Sequence, residues 1–206
     1  MRKRTPVISK GDQAAFEGLV RFAQESGATG AALISPNDIV VEDGLAALCR
    51  DPGCRSYGLS RSCPPHVSGP SAFREDLKHY DRALVFKIDV PEEALFSHQR
   101  REIFRLLHEL AAGIERHAVE LGFARSRGYA GGSCKDIFCF DHAECLALLP
   151  DGECRNPHLA RPSMSGFGVN VARLMETAGW HMSPAGGGTD QAGTSITSVC
   201  GLVLIG

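Results

Sequence analysis

Seven of the eight cysteines in this 206-residue chain fall into two groups, and each group is followed by proline. The first group has the spacing C-x4-C-x8-C and consists of Cys49, Cys54 and Cys63. The second has the spacing C-x4-C-x5-C-x8-C and consists of Cys134, Cys139, Cys145 and Cys154. Thiols crowded in this way commonly share a metal ion or cluster. The chain is therefore predicted to be a metal or iron–sulfur protein, with a fold that gathers each group.

The composition is that of a globular protein, with 43% hydrophobic and 22% charged residues. A chain of this size can bury a sizeable core, so the cysteines are not needed as disulfide staples. The net charge of -2 gives no reason to expect nucleic acid or an anionic membrane as partner. Because no signal or membrane-spanning segment is visible, we expect a cytoplasmic protein with reduced thiols. A disulfide framework is the less favoured alternative, which the even number of cysteines leaves open.

Helical and strand patterns alternate along the chain and predict an α/β (α+β) fold. We expect a single metal-binding domain over 1–206, with a central mixed or antiparallel sheet, packed helices and two cysteine-rich loops at about 49–70 and 131–162. Helices are predicted at 12–26, 71–80, 91–121 and 163–178, and strands at 31–34, 83–90, 123–129 and 196–205. Long connections in a compact domain are commonly functional, which favours the cysteine loops as the site.

The second group offers four thiolates on a Gly-rich loop, enough for one zinc ion or one [4Fe–4S] cluster. Zinc sites usually contain two short C-x2-4-C pairs, and this group does not contain two. The spacing therefore favours the cluster, with zinc as the alternative. His142 lies between two of the cysteines and is a further candidate ligand.

The first group offers three thiolates, one fewer than a closed site requires, and three interpretations stay open. A fourth ligand comes from elsewhere in the chain, with His66, Asp51 and Cys200 as candidates. Alternatively, the three hold a cluster with one open iron, which acts as a Lewis acid toward a substrate or a partner's ligand. Otherwise the group binds no metal.

The proline pair Pro64-Pro65 has a physical role beside Cys63. Proline fixes its own φ and pushes the preceding residue toward an extended conformation, which would hold the Cys63 sulfur in place. Cys200 differs from the other seven, because it lies in the apolar run Ser198–Val203. We expect it to be a small buried hydrophobic residue.

Two segments resemble signatures of a known family. The first is Cys54-Arg-Ser-Tyr-Gly followed by Cys63-Pro-Pro, and the second is Pro150-Asp-Gly-Glu-Cys154-Arg-Asn-Pro157 followed by Arg161-Pro-Ser-Met-Ser-Gly-Phe-Gly168. With the closing segment around Cys200, they resemble the bacterial and archaeal DUF2284 family of predicted metal-binding proteins. The resemblance implies metal or iron–sulfur binding through the matching cysteines, in anaerobe-type metabolism, and implies no known reaction.

The chain departs from this family in one respect. The family's second group usually begins with a compact C-x2-C-x2-C, whereas Cys134, Cys139 and Cys145 are spaced more widely. Cys134 and Cys154 match the pattern, and Cys139 and Cys145 are alternatives for its middle positions.

The sequence as a whole predicts iron–sulfur binding. We expect one [4Fe–4S] cluster on the four-cysteine group and a possible second on the three-cysteine group, acting in electron transfer to a redox or client protein partner, or in its activation. Two other functions stay open: a non-redox enzyme that uses an open cluster iron at the three-cysteine group, and a structural zinc protein.

Overall fold

A computed structural model describes residues 10–180 and 195–206, which include a four-stranded antiparallel sheet. Its strands lie in the order β1-β2-β4-β3. They are β1 (Gly30–Ile34), β2 (Arg82–Pro91), β3 (Arg127–Tyr129) and β4 (Ile196–Ile205). The α+β class and the central antiparallel sheet are thus confirmed.

Helical segments connect these strands and cover both faces of the sheet. The α-helices are α1 (Lys10–Glu25), α2 (Asp43–Ala47), α3 (Gly69–Asp76), α4 (Arg100–Glu120), α5 (Cys134–Phe138) and α6 (Val171–Thr177). Short 3-10 turns lie at Pro36–Asp38, Leu77–His79, Glu92–Phe96, Leu146–Leu148 and Met164–Phe167. Within the described parts of the chain, no helix is both long and apolar enough to cross a membrane.

The two central strands, β2 and β4, pair along their whole length and are apolar and buried on both faces over residues 83–86 and 199–205. Successive side chains of a strand point to opposite faces, so each strand contributes to two cores. Phe86 of β2 lies opposite Gly201 of β4. A Cβ atom at position 201 would lie 2.2 Å from the Phe86 ring, so only glycine leaves room for that ring.

Each face of the sheet has its own hydrophobic core. Helices α1 and α4 pack on one face through a set that includes Phe16, Leu19, Leu107, Leu110 and Ile114. On the other face, α3, α6 and the 3-10 turn at Met164–Phe167 contribute Phe73, Leu174 and Met164. Phe73 also packs with Tyr129 and Phe167, with ring centroids 5.1 to 5.3 Å apart. These aromatic contacts hold in place α3, which follows the first cysteine loop, and the 3-10 turn at Met164–Phe167, which follows the second.

The predicted helices at 91–121 and 163–178 begin later than expected. Glu92–Phe96 forms a 3-10 turn, and Ser97 then accepts a hydrogen bond from the Gln99 backbone N–H (3.1 Å), just before α4 begins at Arg100. In the helix predicted at 163–178, Gly168 adopts a left-handed conformation (φ 71°), which ends the helical backbone after the 3-10 turn. Asn170 caps α6, because its side chain accepts the Arg173 N–H (3.0 Å). The helix predicted from position 163 therefore begins at Val171.

Two other boundaries also need correction. The helix predicted from Ser71 begins at Gly69, with Ser68 at the cap position and Pro70 in its first turn. The strand predicted at 123–129 is reduced to Arg127–Tyr129. Its first residues form a turn instead, in which both the backbone N–H and the hydroxyl of Ser126 donate to the Phe123 carbonyl.

Candidate metal centre

The three-cysteine group lies on the loop between α2 and α3. A π-type turn over Cys49–Gly53 brings Cys54 back to Cys49, with a backbone hydrogen bond of 2.9 Å between them. Burial raises the pKa of the Cys49 thiol, and the neighbouring Cys54 and Cys63 raise it further. The three sulfurs are therefore close enough to interact electrostatically, as a shared site requires.

The segment Cys63-Pro64-Pro65 packs against the 3-10 turn at Met164–Phe167. The Gly58 backbone N–H donates to the Pro64 carbonyl (2.8 Å), which closes the loop. A Cβ atom at Gly166 would lie 2.9 Å from Pro64 Cδ, so this glycine allows the close approach. Cys63 is 6% exposed, whereas Cys54 is exposed. The group thus has a buried side and an open side.

A pocket of about 550 Å³ opens over the three-cysteine group. All three cysteines line it, together with apolar side chains that include Leu48, Tyr57, Pro64 and Val171. A second cavity of about 320 Å³ shares some of its wall, namely Arg55, Arg100, Gly132, Ser133 and Asp136. The three sulfurs therefore face a space of the size that small-molecule sites usually have.

The four-cysteine group surrounds a much smaller cavity, of about 20 Å³. Helix α5 places Cys134 at its first position, with Ser133 as cap, because the Ser133 hydroxyl accepts the Lys135 N–H (3.3 Å). The other members of the group that line this cavity are Cys139, Cys145 and Cys154. The loop thus brings all four sequence-predicted ligands of this group together.

Polar groups point at the sulfurs of this second group. Asn156 donates twice, from its side-chain Nδ2 to the Cys139 sulfur and from its backbone N–H to the Cys154 sulfur, both at 3.4 Å. Ser60 comes from the other cysteine loop, is completely buried and lines the same cavity. Its hydroxyl makes no well-formed hydrogen bond within residues 10–180 and 195–206, and it faces the Cys134 thiol, whose pKa it lowers. A buried hydroxyl needs an acceptor, and cluster or cysteine sulfur in this cavity would supply one.

A buried cation also lines the small cavity. Lys135 is 8% exposed, and its ammonium donates to the Cys139 carbonyl (2.7 Å) and to the His142 carbonyl. A buried charge needs compensation, which carbonyls supply only in part. Thiolates around the adjacent cavity would complete it. The donor set of four thiols, a buried hydroxyl, an amide and a cation therefore fits an anionic metal–thiolate centre.

The two cysteine groups adjoin each other. Cys63 Sγ of the first lies 3.4 Å from the hydroxyl of Ser133, the neighbour of Cys134. Burial raises the pKa of the Cys134 thiol to about 11, and Cys63 and Cys154 raise it further, while the Ser62 and Ser60 hydroxyls counteract the shift. The Ser56 hydroxyl also donates to Asp136 (2.7 Å). The groups form one continuous site, although about 80 residues separate them in sequence.

The ends of the second loop are tied to helix α4. The Arg161 N–H donates to His108 Nδ1 (3.0 Å), so the proton of the neutral ring is on Nε2, which lies 3.2 Å from the Gly131 carbonyl. Burial lowers the pKa of His108 to about 4, and the Arg161 charge adds to this, so the ring stays neutral. Arg161 also makes a two-pronged ion pair with Glu115, at 3.0 and 2.9 Å. One helix thereby fixes both the start and the end of the loop.

The remaining candidate ligands lie elsewhere. Cys200 is a core residue of β4, as expected, and burial raises its pKa to about 12. His66 lies 3.3 Å from the Gly58 carbonyl, and Asp51 is exposed; neither residue lines the pocket over the three cysteines. His142 is exposed beside Asp141 (3.7 Å) and does not line the four-cysteine cavity. The structure therefore brings no fourth protein ligand from this set to the first group.

Sequence reasoning missed several residues of the site. Asn156 was visible in the segment that follows Cys154, but nothing in the pattern marks its amide as a donor to sulfur. Ser60, Lys135 and His108 gave no signal, because only the packing of distant segments buries them. Among the residues that the structure describes, no three or more Cys, His, Asp or Glu side chains are arranged to hold a single metal ion.

Comparison with known proteins gives one match. A family model described as a predicted metal-binding protein, DUF2284, matches residues 32–205. No curated protein and no solved structure matches the chain. The match covers both cysteine groups and most of the fold.

Proposed function

The chain belongs to the DUF2284 family of predicted metal-binding proteins, and we propose that it is an iron–sulfur protein. In this proposal the four-cysteine group holds a [4Fe–4S] cluster that serves electron transfer to a partner protein or activation of it. The observation that carries the proposal is the small cavity lined by Cys134, Cys139, Cys145 and Cys154, with hydrogen-bond donors directed at two of its sulfurs.

The size of this cavity favours a cluster over zinc. Four sulfurs at about 2.3 Å from a zinc ion would leave no space of water size between them. The cavity accepts a water-sized sphere, so it is wider than a zinc site requires. A cluster spreads its four thiolates over four irons, and thus suits the wider arrangement.

When bound, such a cluster supplies one-electron redox chemistry, and the surrounding residues set its conditions. The Lys135 ammonium offsets the negative charge of four thiolates next to it. The two N–H groups of Asn156 stabilise charge on the Cys139 and Cys154 sulfurs. Phe138 and Leu146 line the cavity and limit the access of water.

A surface groove beside the four-cysteine group is suited to bind a protein partner. Leu59 and Phe140 are 48% and 52% exposed and line this groove of about 400 Å³ together with Arg101 and the Arg55–Asp136 ion pair. Exposed apolar side chains beside the charge of Arg101 suit a partner with an apolar centre and an acidic residue at its rim. An electron would then have a short path from the partner to the four-cysteine group.

The test is the metal and sulfide content of protein purified without oxygen. We expect iron and acid-labile sulfide in equal amounts, a brown colour, and an EPR signal after reduction. Cys154→Ala should lose the iron of its group, while Cys200→Ala, the matched control in the core, should retain it. Stoichiometric zinc without iron or sulfide would contradict the proposal and support the structural zinc alternative.

A second function, non-redox catalysis, is favoured by a different observation. The pocket of about 550 Å³ is lined by all three cysteines of the first group, and no fourth protein ligand from the predicted candidates lies in it. We propose that this group holds a cluster with one iron open to the pocket, available as a Lewis acid. Cyanide or a small thiol should then perturb the spectrum of one cluster and leave the other unchanged. A spectrum that no such ligand alters would contradict this function.

A further inference from the structure

We propose that the pocket over the three-cysteine group and the adjoining cavity together bind a small organic anion, with its apolar body among Leu48, Pro64 and Val171 and its carboxylate at Arg100 and Arg101. This inference deepens the second candidate function and rests on it for the chemistry, because an open iron in this pocket would lie beside the bound molecule. Binding itself depends only on the walls of the pocket.

The wall of the large pocket is mainly apolar. Around the cysteines the wall consists largely of aliphatic, aromatic and proline side chains, to which Leu45, Leu48, Tyr57, Pro64, Val169 and Val171 contribute. Burial of a ligand's apolar surface against such a wall contributes about 25 cal/mol per Å². A ligand with a hydrocarbon body is therefore favoured over a fully polar ion.

The edge of the pocket is positively charged. Arg100 lines both the large pocket and the adjoining cavity of about 320 Å³, and Arg101 lines the latter. Arg55 and Asp136 also lie there, but they pair with each other at 3.4 Å and largely cancel. Within the described part of the chain, neither Arg100 nor Arg101 has an acidic partner. The edge of the pocket thus carries two uncompensated positive charges.

Both arginines stack on aromatic rings, which sets the orientation of their guanidinium groups. The guanidinium of Arg100 lies over the Phe104 ring, 4.6 Å from its centroid, and that of Arg101 lies 3.6 Å from the centroid of Phe140. Stacking occupies the face of a guanidinium and leaves the N–H groups at its edge for a planar acceptor. Both residues also begin the 21-residue helix α4, whose N-terminal end favours negative charge. A carboxylate satisfies all of these conditions, and a cation or a neutral amide does not.

The experiment is calorimetric titration of anaerobically purified protein with three probes: hexanoate, hexanamide and acetate. Hexanamide has the same body without the charge, and acetate has the charge without the body. We expect hexanoate to bind at least about tenfold more tightly than either, since a charge-assisted hydrogen bond and a buried chain are each worth about that factor. Equal affinity for hexanoate and hexanamide, or no binding of hexanoate, overturns the proposal.

Variants locate the site. Arg100→Gln and Arg101→Gln should each weaken hexanoate binding about tenfold and leave the binding of hexanamide unchanged. Arg116→Gln, an exposed position on the same helix, is the matched control and should bind hexanoate like the original protein. Unchanged hexanoate affinity in both variants, or equal loss in the control, overturns the assignment.

Iron content measured on the same preparations separates the two proposals. Protein that contains iron and sulfide but binds no hexanoate refutes the anion site alone. Protein without iron that binds hexanoate in an Arg100-dependent way keeps the anion site and refutes the cluster function.

Discussion

The two cysteine groups adjoin in space but differ in almost every physical respect. The four-cysteine group encloses about 20 Å³ and is surrounded by donors to its sulfurs. The three-cysteine group faces about 550 Å³ and includes the exposed Cys54. A closed, hydrogen-bonded thiol cage suits a cofactor that stays bound and stores charge. An open group beside a pocket suits one that meets another molecule.

The largest effect should come from removing one thiol of the open group. Cys49→Ala should remove the iron of the three-cysteine group, about half of the total if both groups are filled with like clusters, and leave the four-cysteine signal in place. Iron and sulfide analysis with EPR spectroscopy measures this. Loss of both signals in this variant would mean that the two groups hold one shared centre. The distinction between two separate sites would then be wrong.

The second-largest effect should come from the ion pair that attaches the second cysteine loop to helix α4. Glu115→Gln should lower the free energy of unfolding by about 2–3 kcal/mol, because it leaves the largely buried Arg161 without its charge partner. Urea titration without oxygen gives this value. Glu120→Gln, which breaks an exposed contact with His117, is the control and should change it by less than about 0.5 kcal/mol. Equal effects of the two changes would show that the Arg161 pair does not hold the loop.

A pH effect should come from His108. Its pKa is about 4 in the folded protein, below the ordinary value of 6.5, so the unfolded chain binds the extra proton first. The stability that His108 contributes is therefore complete above pH 6.5 and is lost as the pH falls toward 4, by about 1.4 kcal/mol per pH unit.

The measurement is the free energy of unfolding at pH 7.5 and at pH 5.5, for the original protein and for His108→Gln. Glutamine can retain a donor and an acceptor for Gly131 and Arg161 but does not titrate. We expect the original protein to lose more stability than the variant between the two pH values. The same loss in both would contradict the role assigned to His108.

The smallest effect should come from one hydrogen bond to sulfur. Asn156→Leu removes the side-chain donor to Cys139, so the reduced cluster should lose stabilisation and the reduction potential should fall. A bond of about 1 kcal/mol corresponds to about 40 mV for a one-electron couple. Redox titration followed by EPR measures the shift. A potential that rises or stays constant would argue against a cluster on the four-cysteine group.

Much of the scaffold could be predicted from the chain. The strand at 196–205 was predicted with the bounds that the structure has, because its long apolar run is covered on both faces of the sheet. The start of α4 was misplaced by several residues. Acidic residues after a proline resemble a helix start, but Pro91 still pairs in β2 with Ile196, and α4 begins only at Arg100, with Gln99 at its cap position. At such a position the sequence carries both a helix-start pattern and a strand pattern, and strand pairing in the folded protein decides between them.

The sequence by itself determined that there are two cysteine groups, which thiols belong to each, and that the first is one ligand short, because spacing along the chain is a local property. Only the tertiary structure decided that the groups adjoin, that Ser60 of one loop lines the cavity of the other, and that the shorter group opens on a pocket. These features depend on contacts such as that of Ser56 with Asp136, 80 positions apart. Long-range packing makes such contacts, and no local pattern encodes them.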